Sequence, residues 1–172
     1  AVHRDSELIL VEDDVGKHLV LELLRRYNRN LLRTAKVVVV GDKDQVRNLV
    51  QAFGAEGCRV VGVRDPDIGG AVSSGLVSLP GNLAPEAQML ESANLVRGEN
   101  YIHGLRVAYG QAERAGLVAR GSDRAKRILL ALADELRMSR EQLIDRLASA
   151  WIDGHTVEAE NLVRAMDIIL HP

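Results

Sequence analysis

At 172 residues, with 47% hydrophobic but only 3% aromatic content, the chain holds enough material for one domain, or one core with a helical appendage. A formal net charge of -2 and a pI near 6.2 exclude a wholesale nucleic-acid electrostatic footprint, although 22 Lys and Arg among 24 acids leave room for a local basic face. The lone Cys58 excludes an intramolecular disulfide. It lies in an apolar run, which reads as a core thiol in a reducing, cytoplasmic compartment. There is no secretory signal and no apolar run of about 18 residues, so no membrane association is expected. The chain opens on Ala1-Val2-His3-Arg4 without a Met, which is compatible with a fragment of something longer.

In chain order, Leu8 to Val11 read as a buried strand, and Val15 to Tyr27 carry Leu19, Val20, Leu23 and Leu24 at helical spacing. Lys36 to Val40 is a β-branched strand, and Asp42 to Phe53 a second helix ended by Gly54 and Gly57. Cys58 to Val63 is a third strand, stopped by Asp65-Pro66-Asp67, and Gly75 to Leu79 a short fourth. Strands alternating with helices of this length predict parallel pairing, with every strand's carboxyl end on one edge. From Pro85 the pattern turns helical, through Glu86 to Leu95, Tyr101 to Ala115, Ser122 to Leu136, Ser139 to Ile152 and Thr156 to Leu170. Ser122, Ser139 and Thr156 are the expected N-caps, and Ser139 with Gln142 has capping-box spacing. The expected architecture is an α/β core over residues 1–84 and a helical region over 85–172.

The carboxyl edge collects acids: Glu12, then Asp42 and Asp44, then Asp65 and Asp67. Ligand sites of open α/β sheets lie at this edge. Crowded carboxylates repel one another unless a cation neutralises them, and hard oxygen donors suit Mg²⁺, Mn²⁺ or Ca²⁺. The competing role is helix capping, by Asp13 or Asp14 for the helix at Val15 and by Asp42 for the next. For Glu12, Asp65 and Asp67 that role fits poorly, since a Pro between two acids is poor helix-start chemistry.

Two families share parts of this pattern. Residues 8 to 14, LILVEDD, resemble the start of a response-regulator receiver, with Asp65 as phospho-acceptor. A receiver also needs a hydroxyl residue ending strand four and a Lys ending strand five, and the sequence reads as having neither. More of the chain is similar to the topoisomerase-primase (TOPRIM) fold, whose pattern is a Glu ending strand one and Asp-x-Asp ending strand three, here Glu12 and Asp65-Pro66-Asp67. Within that superfamily LVEDDVGKHLVLELLRR, GDKDQV, VVGVRDPD and SLPGNLAPE resemble the C-terminal nuclease domain of the OLD (overcoming lysogenization defect) family, over about residues 7 to 90. The resemblance implies a TOPRIM-like, mainly parallel sheet flanked by helices and followed by a helical C-terminal region. It also implies DNA cleavage with Mg²⁺ or Mn²⁺, by a two-metal mechanism, with Glu12, Asp65 and Asp67 catalytic. Asp42, Asp44 and Glu86 are further metal-ligand candidates. The family normally carries an ABC-type ATPase domain upstream, and no P-loop stands in this chain. Asp13 follows the Glu where TOPRIM sites often have Gly, and no Lys follows Lys126 to serve as the family's late basic residue. A third reading keeps the fold as a non-catalytic module for nucleic-acid binding or assembly. Oligomeric state is left open. Lys17, Arg25, Arg26, Arg114, Arg120, Arg124 and Arg127 could hold phosphates, or form ordinary solvated faces.

Overall fold

The computed structural model describes residues 6–66, 75–95, 110–116 and 123–172. Strands β1 (Glu7–Val11), β2 (Ala35–Val39), β3 (Arg59–Arg64) and β4 (Leu76–Ser78) form one sheet in the order β2-β1-β3-β4. Every pairing is parallel, in registers that set Val11 beside both Val39 and Val63, and Arg64 beside Ser78. All five residues of β1 are buried, as a central strand covered on both faces requires. Edge strand β2 leaves Val39 42% exposed.

Between the strands run α1 (Asp14–Tyr27), α2 (Arg29–Thr34) and α3 (Lys43–Ala55). The apolar stripe of α1 buries Val15, Leu19, Val20, Leu23 and Leu24. Its end is followed at once by α2, which the sequence reading leaves out: Asn28 closes α1 and caps α2 by accepting from the Leu31 amide at 3.0 Å. The stripe of α3 packs Val46 and Val50 on Leu8, Leu10, Val60 and Leu76. Strand alternation sends Ile9, Val11, Val61 and Val63 to the other face.

Beyond β4 come α4 (Pro85–Leu95), a helical segment α5 over residues 110–116, α6 (Asp123–Leu136), α7 (Arg140–Gly154) and α8 (Thr156–Leu170). Pro85 occupies the first helical position of α4, where its missing N–H is harmless. The expected capping box is present: Gln142 N–H donates to Ser139 Oγ and Ser139 N–H to Gln142 Oε1, both at 3.1 Å. Thr156 is not a cap but the first helical residue, because His155 takes the cap position. The proposed cap Ser122 and residues 101–109 of the predicted helical segment Tyr101 to Ala115 lie outside the described residues.

The chain falls into two compact units, one of Ala1–Leu83 with His155–Pro172, the other of Ala84–Gly154. Thus α8 belongs with the sheet, where it packs on α1, β3 and β4. In the second unit α4, α6 and α7 pack together around Met89, Leu129, Leu132, Ile144 and Trp151. No helix among the described residues is long and apolar enough to cross a membrane.

Candidate functional site

In the order β2-β1-β3-β4 the chain leaves β1 towards one side and β3 towards the other, so β1 and β3 flank the topological switch point of the sheet. A crevice outside the carboxyl ends of such strands is where open α/β sheets place ligands. Glu12 and Asp65 stand there. Glu12 directly follows β1, and its Oε2 accepts a hydrogen bond from the backbone N–H of Asp65, which directly follows β3. The carboxylate of the first strand is thereby fastened to the main chain beneath the acid of the third. Both residues are partly buried. The β2–α3 turn closes over the same place, Gly41 N–H donating to the Glu12 carbonyl at 3.0 Å and Val40 N–H to that of Val11 at 2.9 Å. Gly41 makes this turn with φ +118°, a conformation that side chains other than glycine's resist.

The remaining predicted acids are placed differently. Asp13 caps α1 by accepting from Gly16 N–H at 2.9 Å, and Asp42 caps α3 by accepting from Gln45 N–H at 2.8 Å. Each commits one oxygen to an otherwise orphaned helix donor. Asp44 is two-thirds exposed and pairs with Arg47 at 3.3 Å. Glu86 is buried in the first turn of α4, within the second unit. Asp67 lies outside the described residues. Among the described residues no three His, Cys, Asp or Glu side chains converge to hold a metal ion. Of the predicted acids, Glu12 and Asp65 are the two joined at the switch point, through the Asp65 main chain, and Asp67 stands two positions further along the sequence.

Two features of the edge escape the sequence reading. Strand β4 ends on a hydroxyl residue, the exposed Ser78, which corrects the statement that no hydroxyl ends strand four. The predicted strand ran to Leu79, but its ladder stops one residue earlier, with Leu79 N–H donating to the Arg64 carbonyl at 2.8 Å. The second feature is Arg64, last residue of β3, whose Nε is buried without a hydrogen-bond partner. Its signal in the sequence is an Arg between a β-branched run and an acid. Of the basic residues singled out from sequence, Arg25 and Arg26 are tied to Glu22 at 2.5 and 3.3 Å, and Arg124 to Glu113 at 3.4 Å.

The opposite edge carries a contrasting polar cluster. Glu7, which opens β1 and is 8% exposed, accepts from Thr34 Oγ1, pairs with His171 Nε2 at 2.5 Å and lies 3.8 Å from Arg59 Nη1. His171 Nδ1 meets Asp167 at 2.9 Å. Burial pushes the Glu7 carboxyl up, but the Thr34 and His171 hydrogen bonds, with the charges of His171 and Arg59, outweigh it and hold the group below its ordinary 4.5. Hydrogen bonds to Glu7 and Asp167 raise His171 above its ordinary 6.5. The Glu7 contribution to stability is present above about pH 4.5 and lost as pH falls through the lowered folded value. The His171 contribution is complete below about pH 6.5 and lost as pH rises through the raised one. Melting temperature should accordingly drop on going from about pH 6.5 to 8.5, and the drop should shrink in His171→Ala; equal pH profiles would remove His171 from the linkage. The effect is small, because His171 is exposed and its pairs are screened. Beside this cluster a groove of about 970 Å³ runs between α3 and the end of α8, lined by Val50, Gly54, Cys58, Arg59 and Ile168 among others. The thiol of Cys58 is buried and free.

Comparison with protein-family models, with curated proteins and with solved structures finds no match to this chain.

Proposed function

We propose that the chain is a TOPRIM-like nuclease core similar to that of the OLD family, hydrolysing DNA phosphodiesters with Mg²⁺ or Mn²⁺. The observation that carries this reading is the fastening of Glu12 to the Asp65 amide at the β1/β3 switch point. It supports the pairing on which a Glu and Asp-x-Asp site depends. Glu12 and Asp65 would hold the ion, with Asp67 as the third carboxylate. A metal bound there supplies an activated water and charge neutralisation for the leaving oxygen. The residues do the rest. The Asp65 amide donates to one oxygen of Glu12, which fixes the carboxylate and leaves its other oxygen to ligate a cation. Caps at Asp13 and Asp42 hold α1 and α3 in place around the edge. Any ATPase function would come from another domain or chain.

Supercoiled plasmid incubated with the purified protein in Mg²⁺, Mn²⁺ or EDTA, beside Asp65→Ala, tests the reading. Nicking that needs metal and vanishes in the variant is the expected result. Cleavage that survives in Asp65→Ala would sink the assignment of the site.

A receiver-like reading is favoured by two observations, the strand order, which matches the first four strands of the flavodoxin-like sheet, and Ser78 at the end of β4. It lacks a fifth strand with its Lys among the described residues. Acyl-phosphate formation on Asp65 from a small phosphodonor would decide for it.

A further inference from the structure

We propose that Arg64 is the group that holds a phosphate of the bound nucleic acid at the carboxyl edge of β1, β3 and β4. The inference rests on the nuclease reading and adds to it an anion-binding residue that the sequence reading did not single out.

The placement follows from register and alternation. Along β3, Val60, Gly62 and Arg64 share one face, the face on which α3 packs Val46 and Val50. On the adjoining strand Leu8 and Leu10 share that face, and Glu12 follows them. Since Val11 pairs with Val63, the next step of the ladder sets Glu12 alongside Arg64, and on the far side Arg64 pairs with Ser78. A carboxylate, a guanidinium and a hydroxyl therefore form a row across three neighbouring strand ends.

Within that row the guanidinium is the charged member without a protein partner among the described residues, and it holds the buried unpaired donor. Arg64 makes no side-chain hydrogen bond or ion pair among the described residues, and its Nε is buried. Glu12, its lateral neighbour, spends Oε2 on the Asp65 amide instead. Arg64 as a residue is half-buried, but its Nε is a buried donor with no acceptor, which is costly and uncommon, and a bound anion is one of the few things that resolves it. The guanidinium fork suits a tetrahedral phosphate, and Arg keeps its charge at any working pH. Opposite charges side by side also suit the chemistry: the carboxylates would hold a cation, and the guanidinium would hold the phosphate next to it. Ser78 adds an exposed hydroxyl that can donate to a second phosphate oxygen.

Fluorescence anisotropy with a labelled DNA duplex, in Ca²⁺ and across a salt series, tests this, with a denaturing gel to verify that the duplex stays intact. Wild type, Arg64→Met and Arg64→Lys are compared after thermal melts establish that each is folded. Arg64→Met should weaken binding several-fold and reduce the slope of log K against log[salt] by about 0.9, the loss of one phosphate contact. Arg64→Lys should restore the slope but only part of the affinity, which a purely structural role for the side-chain stem would not produce. Unchanged affinity and slope in Arg64→Met, or no DNA binding by wild type, would overturn the inference. The plasmid assay separates the two ideas. Cleavage lost in Asp65→Ala with Arg64→Met binding like wild type removes Arg64 and keeps the nuclease. An Arg64-dependent slope without any cleavage keeps the phosphate site and removes the nuclease.

Discussion

Glu12→Gln should reduce metal-dependent cleavage by at least about a hundredfold, about 2.7 kcal/mol of transition-state stabilisation, while leaving the protein nearly as stable as wild type. One carboxylate has two separable jobs. Glu12 Oε2 accepts from the Asp65 amide, a bond that the carbonyl oxygen of Gln can keep. The negative charge that would bind a cation is gone. Glu12→Ala removes both, leaving the Asp65 N–H without its acceptor, and should lower stability by about 1–3 kcal/mol in addition to losing cleavage. Single-turnover cleavage rates and urea denaturation of the two variants check this. Wild-type cleavage by Glu12→Gln would take Glu12 out of the metal site, and equal stability of the two variants would mean that the bond to Asp65 contributes nothing.

The second large effect lies under the site. Gly62→Ala should cost about 1–3 kcal/mol, and Gly62→Val more, through overpacking. A Cβ at Gly62 would stand 2.5 Å from Leu76 Cδ2, 2.6 Å from Val46 Cγ1 and 2.9 Å from Val50 Cγ2. These contacts hold β4 on one side and α3 on the other, so neither can yield without disturbing the sheet. A glycine inside a central strand is otherwise unfavourable, since it packs nothing and loses the most backbone freedom. Its presence is explained by the close approach of α3. That approach also sets where the first turn of α3 comes to rest, two residues from Arg64. A shift in urea midpoint measures the effect, and an unchanged midpoint for Gly62→Ala would mean that α3 can retreat freely.

Much of this was legible in the sequence because it is written in local pattern. The β-branched runs of β2 and β3, the apolar stripe of α1 and the Ser139 capping box each announce themselves within a few residues. The parallel pairing followed from the lengths of the intervening helices. What stayed hidden depends on contacts between distant segments. Asp42 reads equally as ligand or cap until Gln45 N–H is seen to take its oxygen. Arg64 looks like any strand-end cation until register sets it between Glu12 and Ser78. That β4 stops at Ser78 is decided by where its ladder with β3 ends, which no window of apolar residues reveals. The attachment of α8 to the sheet unit is carried by Ala159, Leu162, Val163, Met166 and Leu170, buried where α8 packs on α1, β3 and β4, and the Glu7–His171 pair joins positions 164 residues apart.

That attachment has a bearing on biosynthesis. The sheet unit is interrupted between Leu83 and His155, so α8 leaves the ribosome only after the whole second unit has been made. At ordinary translation speeds, on the order of ten seconds separate the appearance of β4 from that of α8. During that interval the face of β3 and β4 that α8 covers has no partner from this helix, and such bare apolar surface favours association. Contacts closing over so long a stretch of chain also slow the final folding step.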